Sequence, residues 1–387
     1  MKSYLALANG DTFPGTASGG AADISAEVIL YHAQNFNYRL LTDPVNYSRI
    51  IVTDSAVIDN RGPLFSEIES YSPHLDALVI TGMLMESSLA ESYFSLESYL
   101  EANGVVLFKP DEPAKLLDTL EKAGPINGTL TSRPGPTRKL HLKRAPEIND
   151  LTADLPSPRL EIDPVRKLST SLEFYWDLTD ETYPDSRNRD YIVVAYDFGL
   201  TYSMLKNLKR LGCDIQIVPA NYSPEQVIAL NPEGILLGGG PGYPDRMDYA
   251  IGNISRLIGL RPILATGLGH VLLGLSFGAK MEVLKKPHFG DEIEVIQGRK
   301  STPGQVCPRI KTAQTHCVCL ERKSLEKAGF TITLINPDDS SVEGYENEDY
   351  LIQAYAFPLS GDSAFISSCL NRFITCMESH RAGKKAF

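Results

Sequence analysis

Long apolar runs are missing from this chain. No stretch of about 20 apolar residues occurs in its 387 residues, so no membrane span is expected. The opening MKSYLALANGDTF has one Lys and too short an apolar stretch for a secretion signal, which makes a cytoplasmic address the expectation. A positive surplus is missing too: 37 Lys and Arg stand against 48 Asp and Glu, a formal net charge of −11. Phosphate recognition needs a basic surface, so nucleic acid is not an expected partner, and the acidity serves solubility. Cysteine is sparse. Cys213, Cys307, Cys317, Cys319, Cys369 and Cys376 all lie in the second half, at spacings that fit neither a disulfide framework nor a zinc motif. On an extended segment Cys317 and Cys319 point to one face and His316 to the other, so that trio is not expected to hold a metal. No internal repeat or low-complexity tract is present.

What is present is an ordinary globular composition, 43% hydrophobic and 22% charged, in a chain long enough for two domains with a core each. Residues 1–145 read as a mixed α/β domain. Short β-branched runs at 28–30, 50–53 and 78–81 read as strands, and SYFSLESYLEANG as a helix through Tyr93, Phe94, Leu96 and Leu100 that stops at Asn103-Gly104. A strand at 105–108 and the helix AKLLDTLEKAG follow. From about 132 to 190, Pro and charges recur with little periodicity, which reads as a surface connector, 146–190 in its core, pinned by Phe174, Tyr175 and Trp176. Residues 191–387 then alternate strands with helices, the pattern of a doubly wound parallel sheet with ligands at its carboxyl edge. Beyond Lys280 shorter, more polar strands are expected, and a closing helix from about Asp362 turns Ile366, Leu370, Phe373 and Met377 to the core.

Residues 234–277 carry the most information. Ile235, Leu236 and Leu237 run into Gly238, Gly239, Gly240, Pro241 and Gly242, a buried strand that ends in a loop of bare backbone. A second apolar run, 263–265, turns at Gly267 and continues as a helix with Leu268, Leu272 and Leu275 on one face. Strand, tight turn and helix make a nucleophile elbow, which lifts one side chain to the sheet edge beside backbone N–H donors. At the apex stands Gly267, so the place for a nucleophile holds none. The Gly-rich loop is not a phosphate cradle, because no Lys-Ser/Thr follows it and Pro241 removes a donor. No ATP binding by this chain is expected.

In AEVILYHAQNFNYRLLTDPVNYSRIIV, VVAYDFG, VPANYSPEQVIALNPEGILLGGGPGYP and ILATGLGHVLLGLSFGAK, taken in order, the chain resembles the small (glutaminase) subunit of carbamoyl phosphate synthetase. Its second domain looks like a class I glutamine amidotransferase. The resemblance implies an α/β fold, with an N-terminal mixed α/β domain followed by a flavodoxin-like, doubly wound domain. The family's chemistry is acyl transfer: a Cys thiolate attacks the glutamine amide, a Glu-oriented His moves protons and backbone N–H groups hold the oxyanion.

Carried over by resemblance, the nucleophile position is Gly267, and the His and Glu positions in QAYAFPLS are Phe357 and Leu359, on either side of Pro358. In the pocket that would hold glutamine, Ala33 stands for a Ser, Val271 for a Gln, and Thr315 and Cys317 flank His316 in place of Asn and Gly. Gly240, Gly242 and the amide of Leu268 remain, and the turns themselves require those glycines. His270 reads as a packed core histidine, Thr266 as a residue facing into the sheet, and Cys317 as a thiol without a base, since His316 alternates away from it. The implied function is a non-hydrolytic small subunit. It supports a large synthetase subunit that makes carbamoyl phosphate from ammonia for arginine or pyrimidine synthesis, with ATP and Mg on that partner and no cofactor or metal of its own. The alternatives are a repurposed small-ligand-binding or regulatory module, and an active glutaminase using Cys317.

Overall fold

The computed structural model describes residues 1–19, 23–86, 94–132, 163–177, 191–298 and 308–383. They form two compact units, Met1–Ile162 with Phe289–Glu292, and Asp163–His288 with Ile293–Phe387.

The first unit is built on a closed barrel of seven strands. Ile24–Tyr31, Arg49–Thr53, Ala77–Ile80 and Val106–Pro110 pair in parallel, and Thr12–Ser18, Lys2–Leu7 and Ile126–Thr131 close the ring with antiparallel pairings. Ala77–Ile80 lies between two parallel neighbours and is buried throughout, as a strand covered on both faces must be. Leu5, Phe13, Val28, Ile50, Val52, Val79 and Phe108 share one core cluster with Leu116 and Leu120. The last two come from the helix Pro113–Ala123, which starts with Pro in its first turn and stops at Gly124, φ +67°. The second helix is shorter than its periodicity suggests. It spans Leu96–Ala102, because the Ser95 hydroxyl accepts the Ser98 N–H as an N-cap and so fixes the start. Phe94 precedes the cap and is 67% exposed, a correction to the expected helix face, while Tyr93 lies outside the described residues.

His74 gives this unit a pH dependence. Its Nε2 lies 2.8 Å from the Ser70 hydroxyl, and burial pushes its pKa down to about 4. Between pH 6.5 and about 4 the unfolded chain takes up the proton and the folded chain does not, so stability present above pH 6.5 is lost as pH falls through that window. Comparing urea midpoints of wild type and His74→Gln at pH 7 and pH 4.5 is expected to show an extra loss of roughly 1–3 kcal/mol in the wild type alone. Equal losses would contradict this.

The second unit is a ten-stranded sheet. Its five parallel strands lie in the order Cys213–Pro219, Tyr191–Asp197, Gly234–Leu237, Ile263–Thr266, Ile352–Tyr355. Alternate residues serve opposite faces. Val194, Tyr196, Ile235, Leu237, Ile263 and Ala265 join one core cluster, and Val193, Ala195, Leu236 and Leu264 join the other. Pro224–Ala229, Asp248–Leu257 and Leu268–Ser276 supply buried residues to the first cluster; Tyr202–Arg210 and Ala364–Arg381 supply the second. The sheet is therefore doubly wound, and its carboxyl edge carries the loops that matter.

Two expectations need correction. The second unit starts at Asp163, not Tyr191. Asp163 caps the short helix Pro164–Leu168 and accepts a hydrogen bond from the Tyr249 hydroxyl at 2.8 Å, and Val165 is fully buried in the core. Phe174–Trp176 then adds an antiparallel edge strand to Cys213–Pro219, with Trp176 buried while Phe174 and Tyr175 stay exposed. Beyond Lys280, Thr331–Ile335, Val342–Asn347 and Ile352–Tyr355 are short as expected, but the first two strands are not. Met281–Gln297 runs for 17 residues and Ile310–Leu320 for 11, the first of them continuing through Pro287 and Gly290, residues that look like strand breaks in the sequence.

Candidate functional site

All four residues of Ile263–Thr266 are buried between two parallel neighbours, so the strand delivers its end rigidly to the sheet edge. There the chain turns at Gly267, with φ +53° and ψ −120°, and enters the helix Leu268–Ser276 at once. That conformation is the sharp turn of a nucleophile elbow, costly for any residue with a side chain. Hydrogen bonds lock it: the Gly267 N–H donates to Tyr355 O at 2.9 Å, and the Gly269 N–H donates to Gly238 O at 3.0 Å. A Cβ on Gly269 would stand 2.3 Å from Leu237 O, so only glycine lets the helix lie this close to the neighbouring strand. The Leu268 N–H, first in the helix, has no intrahelical acceptor.

The Gly-rich loop closes over the apex. A Cβ on Gly267 would meet Gly239 Cα at 3.1 Å. Gly240, at φ +155°, passes so near Phe198 that a Cβ would fall 1.7 Å from its carbonyl oxygen. A Cβ on Gly242, at φ +115°, would stand 3.2 Å from the Pro164 ring. Backbone packing alone thus requires glycine at 240, whether or not any ligand binds.

The other expected positions are apolar or already engaged. Phe357 is 1% exposed, its ring 6.0 Å from Tyr355 and 6.3 Å from Phe365. Leu359 is 0% exposed, and its carbonyl accepts from Asn207 Nδ2 at 3.1 Å. Both belong to the cluster that contains Leu200, Leu236 and Leu264. Val271 and Leu268 are buried in the opposite cluster, and Thr266 is buried at the strand end. Ala33 belongs to the first unit, where its N–H donates to Asp54 Oδ1 at 2.9 Å and its carbonyl accepts from Ser55 Oγ at 3.1 Å.

Thr315 and Cys317 sit half-buried on Ile310–Leu320. His316 turns the other way, its Nε2 3.0 Å from Gln314 Oε1 and 3.5 Å from Glu343 Oε2. It therefore leaves Cys317 on the opposite face. His270 is buried with its ring 4.8 Å from Tyr345, and neither ring nitrogen has a hydrogen-bond partner among the described residues. Burial pushes its pKa down to about 3, so it is a neutral core residue near pH 7. The metal-capable set among the described residues is His288, His316 and Glu343, whose ligand atoms lie within 4.8 Å of one another. They come from three strands with no common spacing motif, which is why only His316 attracted notice in the sequence.

A nucleophile elbow and a Gly-rich loop stand side by side at the carboxyl edge of a doubly wound sheet, the arrangement expected of the class I glutamine amidotransferase domain that the family match assigns to the second unit. The family model for glutamine amidotransferase class-I matches residues 194–357, and that for the carbamoyl-phosphate synthase small chain, CPSase domain, matches residues 5–130. The carbamoyl phosphate synthase small chain of Syntrophotalea carbinolica is 30% identical over 98% of this chain and 99% of its own length. That of Salmonella typhimurium is 30% identical over 98% of each. The chain belongs to the carbamoyl phosphate synthase small chain family. No helix among the described residues is long and apolar enough to cross a membrane.

Proposed function

We propose that this protein is a small chain that does not hydrolyse glutamine and that supports a large synthase chain in forming carbamoyl phosphate from free ammonia. The observation that carries this reading is the elbow apex, Gly267, which has the geometry for a nucleophile and no side chain. Acyl transfer from an amide needs an attacking atom, a group to take its proton and return it to the leaving ammonia, and an oxyanion site. Of these, backbone donors remain at the apex, and Phe357 and Leu359 occupy core where a proton carrier and its orienting carboxylate are expected by family resemblance. ATP and Mg belong, in this reading, to the partner chain, and the complex works in the cytoplasm in arginine- or pyrimidine-type metabolism.

Two other roles fit less well. An active site based on Cys317 gains no base from His316, which is engaged on the other strand face. A ligand-binding role for the remodelled pocket is weakened by the complete burial of Leu359 against neighbouring core side chains.

Co-expression with a carbamoyl phosphate synthase large chain tests the proposal. The two chains are expected to co-purify, and the complex to form carbamoyl phosphate from ammonium and ATP but not from glutamine and ATP. Failure to associate, or synthesis driven by glutamine, would overturn it.

A further inference from the structure

The strands Met281–Gln297, Ile310–Leu320 and Val342–Asn347 bring His288, Gln314, His316 and Glu343 together, and their hydrogen bonds decide which atoms face inward. His316 Nδ1 lies 3.0 Å from Val318 O, an acceptor only, so Nδ1 carries a proton and Nε2 faces the cluster. His288 Nε2 lies 3.0 Å from Asp339 Oδ2, so Nε2 carries its proton and Nδ1 faces inward. Gln314 is oriented as firmly. Its Nε2 donates to Thr312 Oγ1 at 3.0 Å, and that hydroxyl spends its own proton on Ile293 O, so the amide oxygen points in. This oxygen lies 2.9 Å from His288 Nδ1 and 3.0 Å from His316 Nε2.

Glu343, 0% exposed, completes the group. Its Oε1 accepts from Ser341 Oγ at 2.8 Å and stands 3.3 Å from His288 Nδ1. Its Oε2 is 3.5 Å from His316 Nε2 and has no hydrogen-bond donor among the described residues. With both imidazoles neutral, two ring lone pairs, an amide oxygen and a carboxylate would face one another in a buried space. Positive charge has to sit between them. Two added protons would leave two imidazolium rings 5.0 Å apart, with Asp339 compensating His288 only from its outer side, whereas one dication meets all four inward acceptors at once.

We propose that His288 Nδ1, His316 Nε2, Glu343 and Gln314 Oε1 form a buried, four-coordinate site for a divalent transition metal of the zinc type. Two observations support it beyond proximity. Ligands at about 2.0–2.1 Å around a tetrahedral ion stand about 3.3–3.4 Å from one another. Here Gln314 Oε1 lies 2.9 and 3.0 Å from the two imidazole nitrogens, and the Glu343 carboxylate reaches them with one oxygen each, Oε1 at 3.3 Å from His288 Nδ1 and Oε2 at 3.5 Å from His316 Nε2. Each imidazole also donates its outer N–H to a carboxylate or a backbone carbonyl, the arrangement that orients metal-bound histidine. Two nitrogens and two oxygens suit zinc, cobalt(II) or nickel(II) rather than calcium or magnesium, which take oxygen ligands. All four positions are filled from the chain, so the ion is a structural clasp on the strands and not a centre that activates water.

The full-length protein, stripped with a chelator and dialysed, tests this. Equilibration with Zn²⁺ is expected to return one metal per chain by elemental analysis and to raise the melting temperature. Co²⁺ in its place is expected to give the visible absorption of a tetrahedral site. Glu343→Gln, which keeps the shape of the side chain, and His316→Gln are expected to lose both the bound equivalent and the absorption. Wild type that binds no more metal than Glu343→Gln, shows no tetrahedral Co²⁺ bands and melts unchanged with Zn²⁺ would show that protons alone fill the site and would overturn the proposal. The wild-type Co²⁺ spectrum decides the matter even if the variants fail to fold.

Discussion

Ammonia release from glutamine by the purified protein is expected at background, and replacing Gly267 with Cys is expected to leave it there. Where Ser, His and Asp act as a unit, removing the nucleophile alone costs about 10⁶-fold in kcat, and binding plus the oxyanion site leaves about 10³–10⁴-fold over water. Here the apex offers no attacking atom, and Phe357 and Leu359 offer no proton transfer. A thiol restored at position 267 would occupy the right turn, at φ +53° and ψ −120°, while Phe357 and Leu359 supply neither a base to ionise it nor an acid for the leaving ammonia. Cys317→Ser is expected to change nothing, because that thiol lies on the opposite strand face from His316. Glutamine-dependent ammonia release abolished by Cys317→Ser would contradict this and move the chemistry to that strand.

The second large effect is on stability. Leu359→Glu is expected to lower the unfolding free energy by about 3–5 kcal/mol, read from urea midpoints at neutral pH. Leu359 is fully buried among apolar side chains. A carboxylate there loses water and gains no positive partner from that cluster, so it either remains ionised at high cost or is held protonated at a smaller one. At the wall of an open, wet pocket the same change would cost within about 1 kcal/mol. The size of the loss therefore separates a site that has become core from one that still admits solvent and ligand, and a near-neutral result would revive the ligand-binding role.

The elbow was legible in the sequence because its parts are local. Four buried strand residues, a glycine at the apex and a helix face through Leu268 and Leu272 follow one another within a dozen positions, and each leaves its own periodic signature. The doubly wound half was legible for the same reason, its strands and helices alternating at regular length. The closed barrel was not, since it depends on Lys2–Leu7 meeting Ile126–Thr131 across most of the first unit, a pairing no local pattern encodes. Residues 163–177 looked like a connector by composition, yet Val165 and Trp176 commit them to the second unit's core. The cluster at His316 was half seen. Alternation correctly separated it from Cys317, but its real neighbours, His288 and Glu343, come from distant strands that become adjacent only in the folded sheet.

The central claim is that the apex of this elbow cannot be acylated. Intact mass spectrometry of the protein, quenched in acid during incubation with glutamine, tests that claim most directly. An unchanged mass at every time point is the expected result; a species heavier by one glutamyl group, mapped to any residue of the chain, would contradict it.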